Sequence, residues 1–204
     1  MTRFVRSPMH RAFTLAVVAT AAVALHAAPM RAQQPATPAP DNGPKVGDMA
    51  PDFTLPGATK AGVTTKPVKL SSLRGQTVVI AFFPRVRTSG CTAQMNSYRD
   101  QYATLFNGGK GVTVLAVSTD SASQQASWAT EANFPVTFVS DVAGTLGAPY
   151  DVMVERNGQK FMRRVLFVVG PDGRITHVMR PFRELAADSY TELKAAVEKA
   201  SAGK

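Results

Sequence analysis

Thr77-Val78-Val79-Ile80-Ala81-Phe82-Phe83-Pro84-Arg85-Val86-Arg87-Thr88-Ser89-Gly90-Cys91 decides how this chain is read. Val78–Phe83 is continuously apolar rather than alternating, which marks a strand covered on both faces. Pro84, with no N–H and a fixed φ, closes it. After Cys91 the period changes. Met95, Tyr98, Tyr102, Leu105 and Phe106 recur at three- and four-residue intervals, which predicts a helix over Cys91–Phe106. Gly108-Gly109 supplies its stop. The only cysteine of the chain therefore stands where a buried strand hands over to a helix.

Working outward, three more short apolar runs read as strands: Val112–Val117, Val136–Val139 and Val165–Val169. A helix over Ser121–Ala132, opened by the cap Asp120-Ser121, lies between the first two. A last helix, Glu184–Ala200, carries Lys194 and Lys199 in its final turns. Gly170-Pro171-Asp172-Gly173 joins Val165–Val169 to Arg174–Arg180 as a hairpin. The order β-α-β-α-β-β-α gives an α/β fold, a three-layer α/β/α sandwich with a mixed central sheet, mostly parallel with an antiparallel pair at its end. Phe53-Thr54-Leu55 and Val68-Lys69-Leu70 add an N-terminal β-hairpin extension.

The 204 residues are 45% hydrophobic, enough for one sizeable core. The net charge of +9 is unevenly spread. Arg3, Arg6, Arg11 and Arg31 fall in residues 1–32 with no acid. The rest holds 19 of the 23 basic residues against 14 acidic ones, with no basic run, so nucleic acid is not an expected partner. Three arginines before the apolar run Ala12–Leu25, with small residues after it, read as an export signal over 1–32, cleaved between Ala24 and Ala32. The alternative is an uncleaved membrane anchor, for which the run is short. Once the signal is removed, no membrane association is expected, and the location is periplasmic or secreted. Residues 33–44, QQPATPAPDNGP, form a Pro/Ala-rich linker. The globular domain is 45–204.

Exported domains commonly carry disulfides, but one cysteine can form none internally. Cys91 is either a small buried hydrophobe or a reactive thiol that needs an outside partner. Beyond residue 32, His177 is the one histidine, so a Cys/His metal site lacks ligands. The absence of C-x-x-C excludes a self-contained disulfide reductase, and neither G-x-S-x-G nor G-x-x-x-x-G-K-[ST] occurs.

Several segments resemble the peroxiredoxins, the AhpC/TSA family, and look closest to its bacterioferritin-comigratory branch. They are Val46–Leu55, Leu73-Arg74-Gly75, Pro84-x-x-x-Thr88-x-x-Cys91-Thr92, Val117–Ser121, Phe134-Pro135 with Ser140-Asp141, and Arg164-Val165-Leu166-Phe167 ahead of Pro171-Asp172-Gly173. The resemblance implies a thioredoxin-like fold from about Lys45 to the C-terminus. It implies a thiol-dependent hydroperoxide reductase with Cys91 as the peroxidatic thiol and Thr88, Arg164 and Pro84 around it, and it calls for no cofactor or metal. Arg163 competes with Arg164 on local sequence, and the family's R-x-x-F spacing selects Arg164. Relatives often carry a second cysteine five residues after the first and Glu three residues after it. Here those positions are Asn96 and Gln94.

Elementary chemistry supports these roles. A free thiol titrates near about 8.5, so it needs help to be a thiolate at neutral pH. Unpaired N–H groups at a helix start favour the anion, and a guanidinium would do more. Thr88 could present its hydroxyl to the thiolate or to the substrate oxygen, or simply cap the helix. Pro84 could shape the loop and shield the sulfur, or simply end the strand. Arg85 and Arg87 read as solvated charges at the mouth, and Trp128 as core or helix surface. The reading is a one-cysteine peroxidase acting on hydrogen peroxide or an organic hydroperoxide and resolved by an external thiol or thioredoxin-like reductant. A homodimer remains open. The competing functions are a thioredoxin-like redox-sensing or binding protein without turnover, and a structural domain with an inert cysteine.

Overall fold

The computed structural model describes residues 42–203; the expected export signal and most of the linker lie outside the described residues. Strand β5 (Thr77–Phe82) is buried at every position and is an interior strand, third from one edge, of a seven-stranded sheet. It pairs in parallel with β6 (Val112–Ser118), which pairs in parallel with β7 (Thr137–Ser140). On its other side β5 pairs antiparallel with β10 (Val165–Val169), and β10 with β11 (Ile175–Met179) across the turn at Gly170–Gly173. The sheet is therefore mixed, with parallel pairing confined to three strands.

The far edge is finished by the N-terminal region. β1 (Thr54–Leu55) pairs with β4 (Val68–Lys69), the hairpin expected from sequence. Inside it lies a second hairpin, β2 (Gly57–Thr59) with β3 (Gly62–Val63), which adds β2 to β7. A further hairpin, β8 (Met153–Arg156) with β9 (Gln159–Met162), precedes β10.

Alternation along each central strand splits the core in two. Val79, Ala81, Val114, Ala116, Leu166 and Val168 point to one face. There they meet Met95 and Tyr98 of α1 (Ser89–Asp100), Phe106 of α2 (Tyr102–Phe106), Trp128 of α3 (Ala122–Glu131) and Leu193 of α5 (Ala187–Ala202). Val78, Ile80, Phe82, Leu115, Val117 and Phe167 point to the other face. Its cover is thin: Phe53, a 3-10 turn at Leu70–Leu73, the single-turn α4 (Gly147–Tyr150) and Met162. Burial on both faces is why these strands read as continuous apolar runs.

The helix expected over Cys91–Phe106 is two helices, interrupted at Gln101 (φ −112°, ψ 21°). The break brings Phe106 beside Tyr98, with ring centroids 5.1 Å apart. α5 begins at Ala187, three residues later than expected. Ser121 caps α3 in a reciprocal box with Gln124. Asp120, expected to share that cap, turns inward instead. Trp128 is core: it packs on Phe83, Phe134 and Phe138 with centroids 5.0 to 6.1 Å away. That cluster fixes Phe83, the last residue before the Pro84 loop.

Candidate active site

Cys91 is the third residue of α1 and is fully buried. Its helix has no acidic residue of its own in the first turn, and the unpaired N–H groups there favour an anion at the sulfur. Thr88 is the N-cap by backbone, in extended conformation (φ −76°, ψ 152°), and its carbonyl accepts the first helical bond from Thr92 at 2.8 Å. Its hydroxyl donates to the Arg85 carbonyl at 3.1 Å and caps no helical N–H. The structure thus uses the exposed Thr88 to close the 84–88 loop and does not bring its hydroxyl onto the sulfur. Pro84 is half-buried directly after β5, between the core residue Phe83 and this loop.

The loop is also pinned from below. The carboxylate of Asp120, buried at the end of β6, accepts from the Val86 N–H at 2.9 Å and from the Ser118 hydroxyl at 2.8 Å. Arg87 adopts a left-handed conformation (φ 60°) and is not a freely solvated charge: it pairs with Glu131 of α3 at 2.8 Å. Arg85 is exposed, as expected for a solvated charge.

Arg164 comes to Cys91 from the residue before β10. Its Nη2 lies 3.4 Å from Sγ and donates to it. Its Nη1 donates to Oε1 of Gln94, and its Nε forms an ion pair with Glu184 at 3.1 Å. Gln94 is fully buried and donates in turn to the Tyr98 hydroxyl at 2.9 Å. Burial pushes the Tyr98 phenol well above its ordinary range, so it stays neutral and can accept that bond. Arg163 is tied to the second face through its backbone, donating to the Val152 carbonyl at 2.6 Å. Successive residues of an extended segment point to opposite sides, which is why only one of the two arginines meets the sulfur.

The site therefore joins Cys91, Arg164 and Gln94, with Pro84 and Thr88 forming the adjacent loop. Sequence reasoning missed Glu184 and Asp120. Nothing local marks Glu184 as a partner of Arg164. Its one clue was indirect: an amide at Gln94 leaves the guanidinium without a carboxylate on α1. This arrangement can hold a sulfur anion next to a fixed cation and steady charge leaving it.

Residues 46–178 match the AhpC/TSA family. A Coxiella burnetii relative is 36% identical over 138 residues, covering 66% of this chain and 87% of that protein. Peroxiredoxin Bcp of Escherichia coli strain K12 is 32% identical over 143 residues, covering 68% and 87%. Among solved structures, that of peroxidoxin BcpB from Mycobacterium tuberculosis superposes with a TM-score of 0.64 at 28% identity, covering 76% of this chain and 97% of the other. The seven-stranded mixed sheet, the turn of α1 that carries Cys91 and these likenesses agree, and the chain belongs to the AhpC/TSA family of peroxiredoxins, on its Bcp branch.

Proposed function

We propose that the chain is a thiol-dependent peroxidase that works through Cys91 alone. The observation that carries this is the contact from Arg164 Nη2 to Cys91 Sγ at the first turn of α1. The thiolate attacks one oxygen of a hydroperoxide. The S–O bond forms as the O–O bond breaks, and the departing oxygen takes up a proton and leaves as water or an alcohol. Cys91 becomes a sulfenic acid. Arg164 steadies negative charge on sulfur before attack and on the leaving oxygen during it.

Cys91 is the only cysteine and Asn96 stands five residues on, so resolution comes from outside. An external thiol attacks the sulfenic sulfur, releases water and leaves a mixed disulfide. A second thiol displaces Cys91 as a thiol and carries the disulfide away. Because Cys91 is fully buried, the groups around the sulfur must move aside for that thiol to reach it. The reading extends to an exported protein, supported by the arginine-flanked apolar run Ala12–Leu25. It is tested by peroxide consumption with candidate thiol donors supplied one at a time. Turnover with at least one donor, lost in Cys91→Ser, is the expected result. Oxidation of Cys91 without turnover for any donor would favour the redox-sensing alternative.

A further inference from the structure

The guanidinium beside Cys91 gets its carboxylate from an unexpected place. α1 offers only the neutral amide of Gln94. The anion is Glu184, twenty residues beyond Arg164 in the segment between β11 and α5. We propose that Glu184 is the positioning residue of this site. It touches neither sulfur nor substrate, but fixes Arg164 so that Nη2 faces Sγ, a task that an acidic residue on α1 would otherwise perform. The proposal rests on the peroxidase reading only for what the sulfur does next.

Three observations carry it. The pair is largely enclosed, with side chains 12% and 22% exposed, so the ion pair is less screened than a surface one. Its backbone is held on both sides: the Tyr190 hydroxyl donates to the Glu184 carbonyl at 2.8 Å, and the Phe182 N–H donates to the Arg164 carbonyl at 3.0 Å. Glycine at residue 90 lets the pair sit directly against the first turn of α1. A Cβ there would lie 2.4 Å from Oε1 of Glu184 and 3.0 Å from Nη2 of Arg164.

The sign of the effect separates two roles. A carboxylate that acted only as a nearby negative charge would oppose a charge on sulfur, and its removal would speed thiolate chemistry. A carboxylate that holds the cation in place favours the sulfur anion, and its removal slows that chemistry. The other titratable groups packed around the pair are Tyr98 on α1 and Tyr190 on α5. Burial pushes both phenols up, so they carry no charge at neutral pH.

The test is the alkylation rate of Cys91 by iodoacetamide in the full chain, measured against pH. Glu184→Gln should slow alkylation at neutral pH by about tenfold and move the pH midpoint of the profile upward. Adding Gln94→Glu to that variant returns the carboxylate to α1 and should recover most of the lost rate. Gly90→Ala should also slow alkylation, by displacing the carboxylate without altering its charge. It should stay folded, with the far-ultraviolet circular dichroism of the wild type, since the new methyl meets only side-chain ends. Faster or unchanged alkylation in Glu184→Gln would overturn the proposal, as would unchanged alkylation in Gly90→Ala or a folded double variant that recovers nothing. Alkylation needs no turnover. Wild-type chain that consumes no peroxide while these variants behave as stated would sink the peroxidase reading and leave the role of Glu184 standing.

Discussion

Replacing Arg164 by methionine removes the cation while keeping a chain of similar reach, and the size of the loss follows from the geometry. Nη2 is 3.4 Å from Sγ. Unit charges about 4 Å apart interact by about 4 kcal/mol at an effective dielectric constant near 20. Two features reduce that figure: Glu184, 3.1 Å from Nε, cancels part of the field, and the guanidinium is not wholly enclosed. If about half survives, about 2 kcal/mol is lost, or roughly 30-fold in the rate of Cys91 oxidation. Stopped-flow measurement of Cys91 oxidation under excess peroxide at fixed neutral pH reads this directly. Arg163→Met is the matched control. Its backbone bond to Val152 is kept, and a part-exposed, solvent-screened charge should change the rate at most a few-fold. Equal losses in the two variants, or a larger loss at Arg163, would refute the reasoning.

Cys91→Ser should leave the circular dichroism and thermal midpoint close to wild type while peroxide consumption falls below about one per cent, because no second thiol exists to take its place. Trp128→Ala should cost about 3–5 kcal/mol in denaturant unfolding, since the ring is buried among Phe83, Phe134 and Phe138; a loss under about 1 kcal/mol would show that the cluster collapses around the gap. Asp120→Ala leaves the Val86 N–H unpaired and should cost about 1–3 kcal/mol. If Asp120 holds the 84–88 loop, the same variant should also lower the rate of Cys91 oxidation, and an unchanged rate would contradict that role. Excess peroxide without a thiol should carry Cys91 on to sulfinic acid, seen as an intact mass about 32 Da above the reduced form, because no internal cysteine traps the sulfenic acid.

What sequence could and could not show follows from range. The buried strand, the loop and the helix start at Cys91 are local patterns, and the unbroken burial of β5 explains why they were legible. Hairpin β8–β9 had a local signal that went unread. Asn157-Gly158 lies between Met153–Arg156 and Gln159–Met162, and both turn residues take positive φ (51° and 70°), as a two-residue hairpin turn requires. Hairpin β2–β3 had almost none, because strands of three and two residues show no period. At the site, the R-x-x-F spacing selects Arg164, whose guanidinium the structure sets 3.4 Å from Sγ. For Thr88 the sequence offers the thiolate, the substrate oxygen or the helix cap as partners of the hydroxyl, and its direction depends on the loop fold, which turns it to the Arg85 carbonyl. Glu184 and Asp120 act across 20 and 34 residues, on Arg164 and Val86 respectively, and no local pattern encodes such a contact.

The central claim is that Cys91 is oxidised by peroxide and returned by an outside thiol. Intact-mass spectrometry of the reduced chain after one equivalent of hydrogen peroxide tests it most directly. The account predicts a product heavier by one oxygen, about 16 Da, or its trapped adduct, which a small thiol converts to a mixed disulfide at Cys91 and then to the starting mass. A chain that keeps its reduced mass while peroxide persists in solution would contradict it.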